Sequence, residues 1–294
     1  MVNSPVVQGM RGSRKNVVKP DGIVLDDHKS PIPTNLVLGS EGFLGRALCR
    51  YLERHEKVIH YDLKLDPAQD LRSAKLDLTG VDRVYLLAWD VGGAKYLYDP
   101  ATQESQFEWN MKLLANTLPQ LKGTRFLFVS SQQANQSNAY GVSKRIGEIW
   151  TKLLNGFVVR PWNLYGEMEP TSERSHVISD FIQQDKETGV IKMQTNGEEF
   201  RQFVHLFDAC RALHLAMEQQ YANTYDATSG KWVSIRQIAD FIAAETGAQV
   251  VPGWDTGKNF KSPYIGRMVG WSADIPLEEG LRAMIRGETE KYYV

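Results

Sequence analysis

Residues 35–55 read NLVLGSEGFLGRALCRYLERH, and this stretch decides the fold. NLVLGS (35–40) is an apolar run of strand length, and GFLGRALCRYLERH (42–55) sets Phe43, Leu44, Ala47, Leu48 and Tyr51 at helical spacing. Gly39, Gly42 and Gly45 fall between them at three-residue intervals. Gly39 permits a tight turn, Gly42 lets backbone N–H groups approach a pyrophosphate, and Gly45 lets the helix pack against the strand. The next strand, KVIHYD (57–62), ends in Asp62, at the distance expected for an acid that binds ribose. A carboxylate there accepts hydrogen bonds from both ribose hydroxyls and repels a 2′-phosphate, which favours NAD over NADP. Lys64 nearby works against that preference.

Outward from this unit the alternation continues. RVYLLAW (83–89), RFLFVSS (125–131) and GFVVRPW (156–162) read as further strands, separated by helical patterns over 103–121 and 138–154. Strands this apolar, alternating with helices, predict a parallel sheet covered on both faces: an α/β, Rossmann-type, doubly wound fold. After Gly166 the pattern breaks into shorter pieces and predicts a smaller C-terminal α/β lobe. The expected division is an N-terminal arm over 1–34, marked by Pro5, Pro20, Pro31 and Pro33, and a dinucleotide-binding domain over 35–165. The substrate lobe takes 166–201 and 236–294, with parts of 202–235 completing the main sheet.

The totals set the class. A chain of 294 residues with 42% hydrophobic content carries one large domain or a domain and a lobe. A net charge of -1 gives no bulk attraction for nucleic acid or anionic membrane. No apolar run approaches the roughly 18 residues of a spanning helix, and the first residues have no apolar signal core. Cys49 and Cys210 lie in helical patterns and read as reduced thiols. These features predict a cytoplasmic protein with no nucleic-acid, membrane or metal site.

SSQQANQSNAYGVSK (130–144) carries the chemistry. On a helix, Val142, Ile146, Ile149 and Leu153 form one stripe, expected to be the buried one, while Tyr140, Lys144 and Gly147 share the opposite face. Residues four apart on a helix have Cβ atoms about 5–6 Å apart. Lowering a tyrosine pKa from about 10 to about 7 takes roughly 4 kcal/mol, and an ammonium at about 4 Å supplies that order of energy at an effective dielectric near 20. Lys144 is thus sufficient to make Tyr140 a base. Ser131, at the carboxyl edge of its strand, is placed to donate to a substrate oxygen.

With these motifs in order, the chain resembles the extended short-chain dehydrogenases/reductases that act on nucleoside-diphosphate (NDP) sugars. The resemblance covers about residues 35–290 and rests on GSEGFLG, LDL (76–78), Ala88, Asn110, SS…YGVSK, RPWNLYG, RQFVHLFD and GWSADIPLEEGL. It implies that Phe43, Leu44, Asp77, Leu78 and Ala88 join the glycines, Asp62, Tyr140 and Lys144 around the cofactor. It also implies that Asn163 and Arg201 contact the diphosphate side of an NDP-sugar. The helices over 103–121 and 138–154 are the pair that such proteins pack into a four-helix homodimer interface, with Trp109 and Trp150 as anchors or as core.

Within that family the chain looks most like the branch containing GDP-fucose synthase and GDP-mannose 3,5-epimerase. The resemblance makes His176 an acid/base group contacting substrate; the alternative is a helix cap. Where the branch has a proton-moving Cys, this chain has Gln133, and Gln132-Gln133 replaces the acids of the dehydratases and decarboxylases. What remains is hydride chemistry with Ser131/Tyr140 proton transfer. That suits an NAD-dependent NDP-sugar epimerase working through a transient 4-keto sugar, or an NAD(P)H-dependent 4-keto-NDP-sugar reductase. A non-catalytic dinucleotide-binding relative is the third reading. Ser131 and Tyr140 are nine positions apart where the family carries a longer substrate-side loop, so the sugar pocket is expected to be open or closed by another element.

Overall fold

The computed structural model describes residues 32–169, 174–259 and 266–294, together with the backbone of 17–18 and 24–25. The chain falls into two units, Met1–Ile32 and Pro33–Val294. In the first, strands β1 (Val17–Val18) and β2 (Val24–Leu25) pair antiparallel. The rest of the arm expected over 1–34 lies outside the described residues, apart from its last three.

The second unit begins with β3 (Thr34–Leu38), α1 (Phe43–Glu53), β4 (Lys57–Tyr61) and β5 (Arg83–Leu86). The short α2 (Ala94–Leu97), then α3 (Gln103–Gln120), β6 (Phe126–Val129), α4 (Ala139–Leu153) and β7 (Phe157–Pro161) follow. Beyond them come β8 (Asn163–Tyr165), α5 (Val177–Thr188), β9 (Val190–Lys192), β10 (Phe200–His205) and α6 (Leu206–Glu218). The last elements are β11 (Thr224–Ala227), β12 (Trp232–Ser234), α7 (Ile235–Thr246), β13 (Gln249–Val251) and α8 (Leu277–Arg286).

Six of these strands form one parallel sheet in the order β11-β7-β6-β5-β3-β4. Its central strands are buried on both faces, as continuous apolar runs require. Leu48, Leu52, Leu213 and Ala216 of α1 and α6 fill one face, and Leu113, Leu114 and Leu118 of α3 fill the other. The expected doubly wound sheet is therefore present. Strand β5 is shorter than RVYLLAW implied, because Leu87 and Ala88 both donate to the carbonyl of Leu38 and the chain bends across the end of β3.

The smaller lobe has its own core, built on Ile178, Phe181, Ile182, Ile191, Ile238, Ile242 and Leu281. It contains a three-stranded sheet, β12-β10-β8, and the parallel pair β13-β9. Of the segment 202–235, β11 enters the main sheet, while β10 and β12 belong to the small one.

The faces of α4 are reversed from expectation. Tyr140, Lys144, Gly147 and Glu148 are buried, whereas Ile149 and Leu153 of the apolar stripe are 57% and 77% exposed. The polar side packs because its groups are paired and because Gly147 admits the Phe128 ring, which a Cβ would meet at 2.6 Å.

Candidate active site

The site lies at the carboxyl ends of β3, β5 and β6, where a parallel sheet leaves its crevice. Gly39 has φ +95°, a left-handed conformation, and a Cβ on it would sit 2.5 Å from the Ala88 amide nitrogen. A Cβ on Gly45 would meet the Gly39 carbonyl oxygen at 2.0 Å. Helix α1 opens at Gly42 without any side-chain cap, so its first-turn N–H groups are left for an anion. The Asp62 carboxylate faces this loop: Oδ2 accepts from the Glu41 amide at 3.0 Å and Oδ1 from the Lys64 amide at 2.9 Å. A carboxylate has about four lone-pair sites, so both oxygens keep capacity for ribose hydroxyls. Lys64 Nζ donates to the Glu41 carbonyl at 3.2 Å, which brings its charge beside the same place. The cradle, uncapped helix end and acid fit an NAD pyrophosphate and ribose.

Gly39, Gly42, Phe43, Leu44, Gly45, Asp62 and Ala88 all line one cavity of about 880 Å³. Ser131, Tyr140, Lys144, Asn163, His176 and Arg201 line it too. Asp77 and Leu78 do not. Asp77 is exposed and accepts from the Thr79 amide, and Leu78 packs against the core below α3. The chain carries a second Asp-Leu pair, Asp70-Leu71, and its Leu71 reaches the cavity together with Gln69.

Ser131 ends the approach of β6 and accepts from the Gln133 amide at 3.1 Å, starting a short 3₁₀ turn. Asn138 caps α4 by accepting from Gly141 N at 2.8 Å. The nine positions between Ser131 and Tyr140 are thus spent on a turn and a cap. Burial pushes the Tyr140 phenol up to about 12, with the neighbouring Ser131 hydroxyl acting the other way. This corrects the expected fall toward 7. Lys144 is itself buried, and burial holds its ammonium well below the usual lysine range, with Glu148 opposing that shift. Its Nζ sits 3.9 Å from the Trp89 ring centroid and 4.9 Å from that of Phe128.

Beneath Lys144, one helical turn on, Glu148 makes a two-pronged ion pair with Arg160 at 2.5 Å for each contact and accepts from Ser130. All three are buried. On the substrate side, Asn163 Nδ2 donates to the Gln202 carbonyl at 2.9 Å. Arg201 donates to the carbonyls of Phe200 and Lys258, and burial lowers its pKa. His176 makes no side-chain capping bond to α5. Its Nδ1 lies 2.8 Å from Glu169 Oε2, which also accepts from the His176 amide, and its ring stacks on Phe43 with centroids 5.6 Å apart. Glu169 had no sequence signal. No helix among the described residues is long and apolar enough to cross a membrane.

The chain is similar to known proteins in a consistent way. A Methanocaldococcus jannaschii protein provisionally named UDP-glucose 4-epimerase is 27% identical over 168 residues, 51% of this chain and 53% of that one. A dTDP-4-dehydro-6-deoxy-D-allose reductase of a Streptomyces species is 30% identical over 117 residues, 37% and 36% of the two chains. The chain thus spans about half the length, or less, of the curated relatives it matches. The solved structure of MoeE5 in complex with UDP-glucuronic acid and NAD shares the fold, with a TM-score of 0.71 at 20% identity over 86% of this chain and 98% of that one. The family described as NAD dependent epimerase/dehydratase matches residues 35–227, which span the glycine loop, Asp62 and the Ser131–Tyr140–Lys144 set, and the chain belongs to that family.

Proposed function

We propose that this protein is an NAD-dependent NDP-sugar epimerase working through a transient 4-keto sugar. The observation that carries the reading is that Ser131, Tyr140 and Lys144 open onto the same cavity as the glycine loop and Asp62. Gly39, Gly42, Phe43, Leu44, Gly45, Asp62 and Ala88 would hold NAD. When bound, NAD supplies a hydride acceptor that can return the hydride.

Tyr140 moves the proton. Its hydroxyl takes the proton of a sugar hydroxyl as that carbon is oxidised and gives it back on reduction, while Ser131 donates to the sugar oxygen. Lys144 lies one helical turn from Tyr140 and favours the phenolate whenever it carries its proton. Asn163 and Arg201 bind the diphosphate, Arg201 as the cation. His176, oriented by Glu169, serves as a second polar contact to substrate. Asp62 favours NAD over NADP, and a nucleotide that is retained and recycled suits epimerisation.

The second reading is a 4-keto-NDP-sugar reductase, favoured by Lys64, whose ammonium lies beside Asp62 where a 2′-phosphate would sit. The reductase among the relatives is in keeping with it. Purification without added cofactor, denaturation and mass spectrometry of the released nucleotide separates the two. NAD or NADH near one per chain supports the epimerase. An empty protein that prefers NADPH to NADH supports the reductase. A Tyr140→Phe variant that keeps its biological role would instead favour a non-catalytic relative. The exposed Ile149 and Leu153 on α4, beside α3, support a homodimer through those helices.

A further inference from the structure

We propose that Trp89 is a positioning residue for Lys144: its indole face and the Phe128 ring form an aromatic cage that keeps the buried ammonium charged and directed at the end of β6. The inference rests on the reading of Lys144 as the partner of Tyr140, and it adds what holds that partner in its charged form.

Lys144 is 3% exposed, so water does little to stabilise its charge. Nζ lies 3.9 Å from the centroid of the Trp89 ring, 4.9 Å from that of Phe128 and 5.8 Å from that of Tyr140. All three fall within the roughly 6 Å over which a ring face attracts a cation, and the attraction grows where the pair is desolvated. Nζ also donates to the Val129 carbonyl at 2.7 Å. One carbonyl cannot satisfy three N–H donors, and the ring faces supply negative potential beside it. Burial pulls the Lys144 pKa down; the cage acts in the opposite direction.

The other charges around Lys144 are engaged elsewhere. Glu148, one turn on along α4, is bound by Arg160 of β7 and by Ser130. The Tyr140 phenol stays neutral up to about 12. Asp90, which follows Trp89 beyond β5, accepts from Arg174 and Tyr96. The buried residues of α3 carry no charge.

The backbone sets Trp89 in this place. Before it, the amides of Leu87 and Ala88 both donate to the Leu38 carbonyl. After it, the Asp90 amide donates to Asn110 Oδ1 at 2.9 Å, and the Asp90 carbonyl accepts from Asn110 Nδ2 at 3.1 Å. The ring packs on Phe128 with centroids 5.4 Å apart. Its indole N–H, by contrast, is buried without an acceptor among the described residues. A leucine would fill the space without that cost. What the indole adds is the strongest cation-attracting face of any side chain.

The test is an NMR titration of the Lys144 Nζ resonance in the NAD-saturated full chain carrying isotope-labelled lysine. The signal is identified by its loss in Lys144→Met. In Trp89→Leu the midpoint is expected about 0.5–1.5 pH units below that of wild type, and in Trp89→Phe it falls by less. Loss of packing alone would admit water and move the midpoint upward, so the direction separates the cage from a structural role. An unchanged or raised midpoint in Trp89→Leu overturns the inference. Should that variant fail to fold, replacing the 7 tryptophans of the chain by 5-fluorotryptophan keeps the shape and weakens the ring face. The midpoint then falls in wild type and stays fixed in Trp89→Phe; equal responses in the two overturn the inference as well. The titration uses no sugar nucleotide, so failure of the NDP-sugar reading leaves its result standing.

Discussion

Lys144 donates through Nζ to the main-chain carbonyl oxygen of Val129 at 2.7 Å, fixing the ammonium to the last residue of β6. The bond holds helix α4 against the strand end from which Ser131 projects, and it is made in a buried place. Burial dominates there, so the charge is carried at a cost to the folded state.

Replacing Lys144 by Met should abolish turnover and raise the melting temperature by a few degrees at neutral pH. The sign follows from linkage. A lysine whose folded pKa is lowered contributes its full stability only above its unfolded pKa, near 10.5, and loses it as pH falls. The advantage of the Met variant should therefore narrow as pH rises toward 10.5. Scanning calorimetry across that range checks it.

Tyr140 titrates in the other direction. Its phenol ionises near 10 when unfolded and at about 12 when folded. The stability of its neutral form is intact below pH 10 and is lost as pH climbs through 12. In the nucleotide-free protein, the tyrosinate absorbance difference between wild type and Tyr140→Phe should be absent at pH 9 and appear near 12. The same variant should lose about 10²–10⁴-fold in turnover with its NAD content unchanged.

The Glu148–Arg160 pair should behave as a buried salt bridge. Arg160→Met alone leaves the Glu148 carboxylate uncompensated and should cost about 3–5 kcal/mol in urea unfolding. The double variant Glu148→Leu/Arg160→Met should recover much of that loss. A double-variant loss equal to the sum of the Arg160→Met and Glu148→Leu losses would show that the pair is not coupled.

If the proposed homodimer forms through α3 and α4, Ile149→Glu with Leu153→Glu should convert it to monomer in sedimentation velocity. Both side chains are more than half exposed on the protomer, so the substitutions have little to disrupt within one chain. A species that stays dimeric after both changes would move the interface elsewhere.

The sequence made the fold legible because strand, glycine turn and helix are local. The spacing of Gly39, Gly42 and Gly45 can satisfy few other backbones, and Asp62 follows from it. Burial was harder to read. The apolar stripe of α4 looked like core, but a stripe reports that a face is suited to being covered and says nothing of what covers it. The buried face instead carries Lys144 and Glu148, whose partners Val129 and Arg160 lie on other strands. The Tyr140 shift was misjudged for the same reason, since residue spacing gives a Lys–Tyr distance but not the desolvation of either group.

The Asp62 carboxylate holds two main-chain amides, one from the glycine turn and one from beyond β4. It is therefore both a brace of the loop and, in the proposed function, the group that tells one nicotinamide nucleotide from the other. A single substitution that removed the negative charge to admit a 2′-phosphate would also release Glu41 and Lys64. Descendants of this chain could change cofactor only after some other acceptor had taken over those amides, so the preference is locked by architecture as much as by charge.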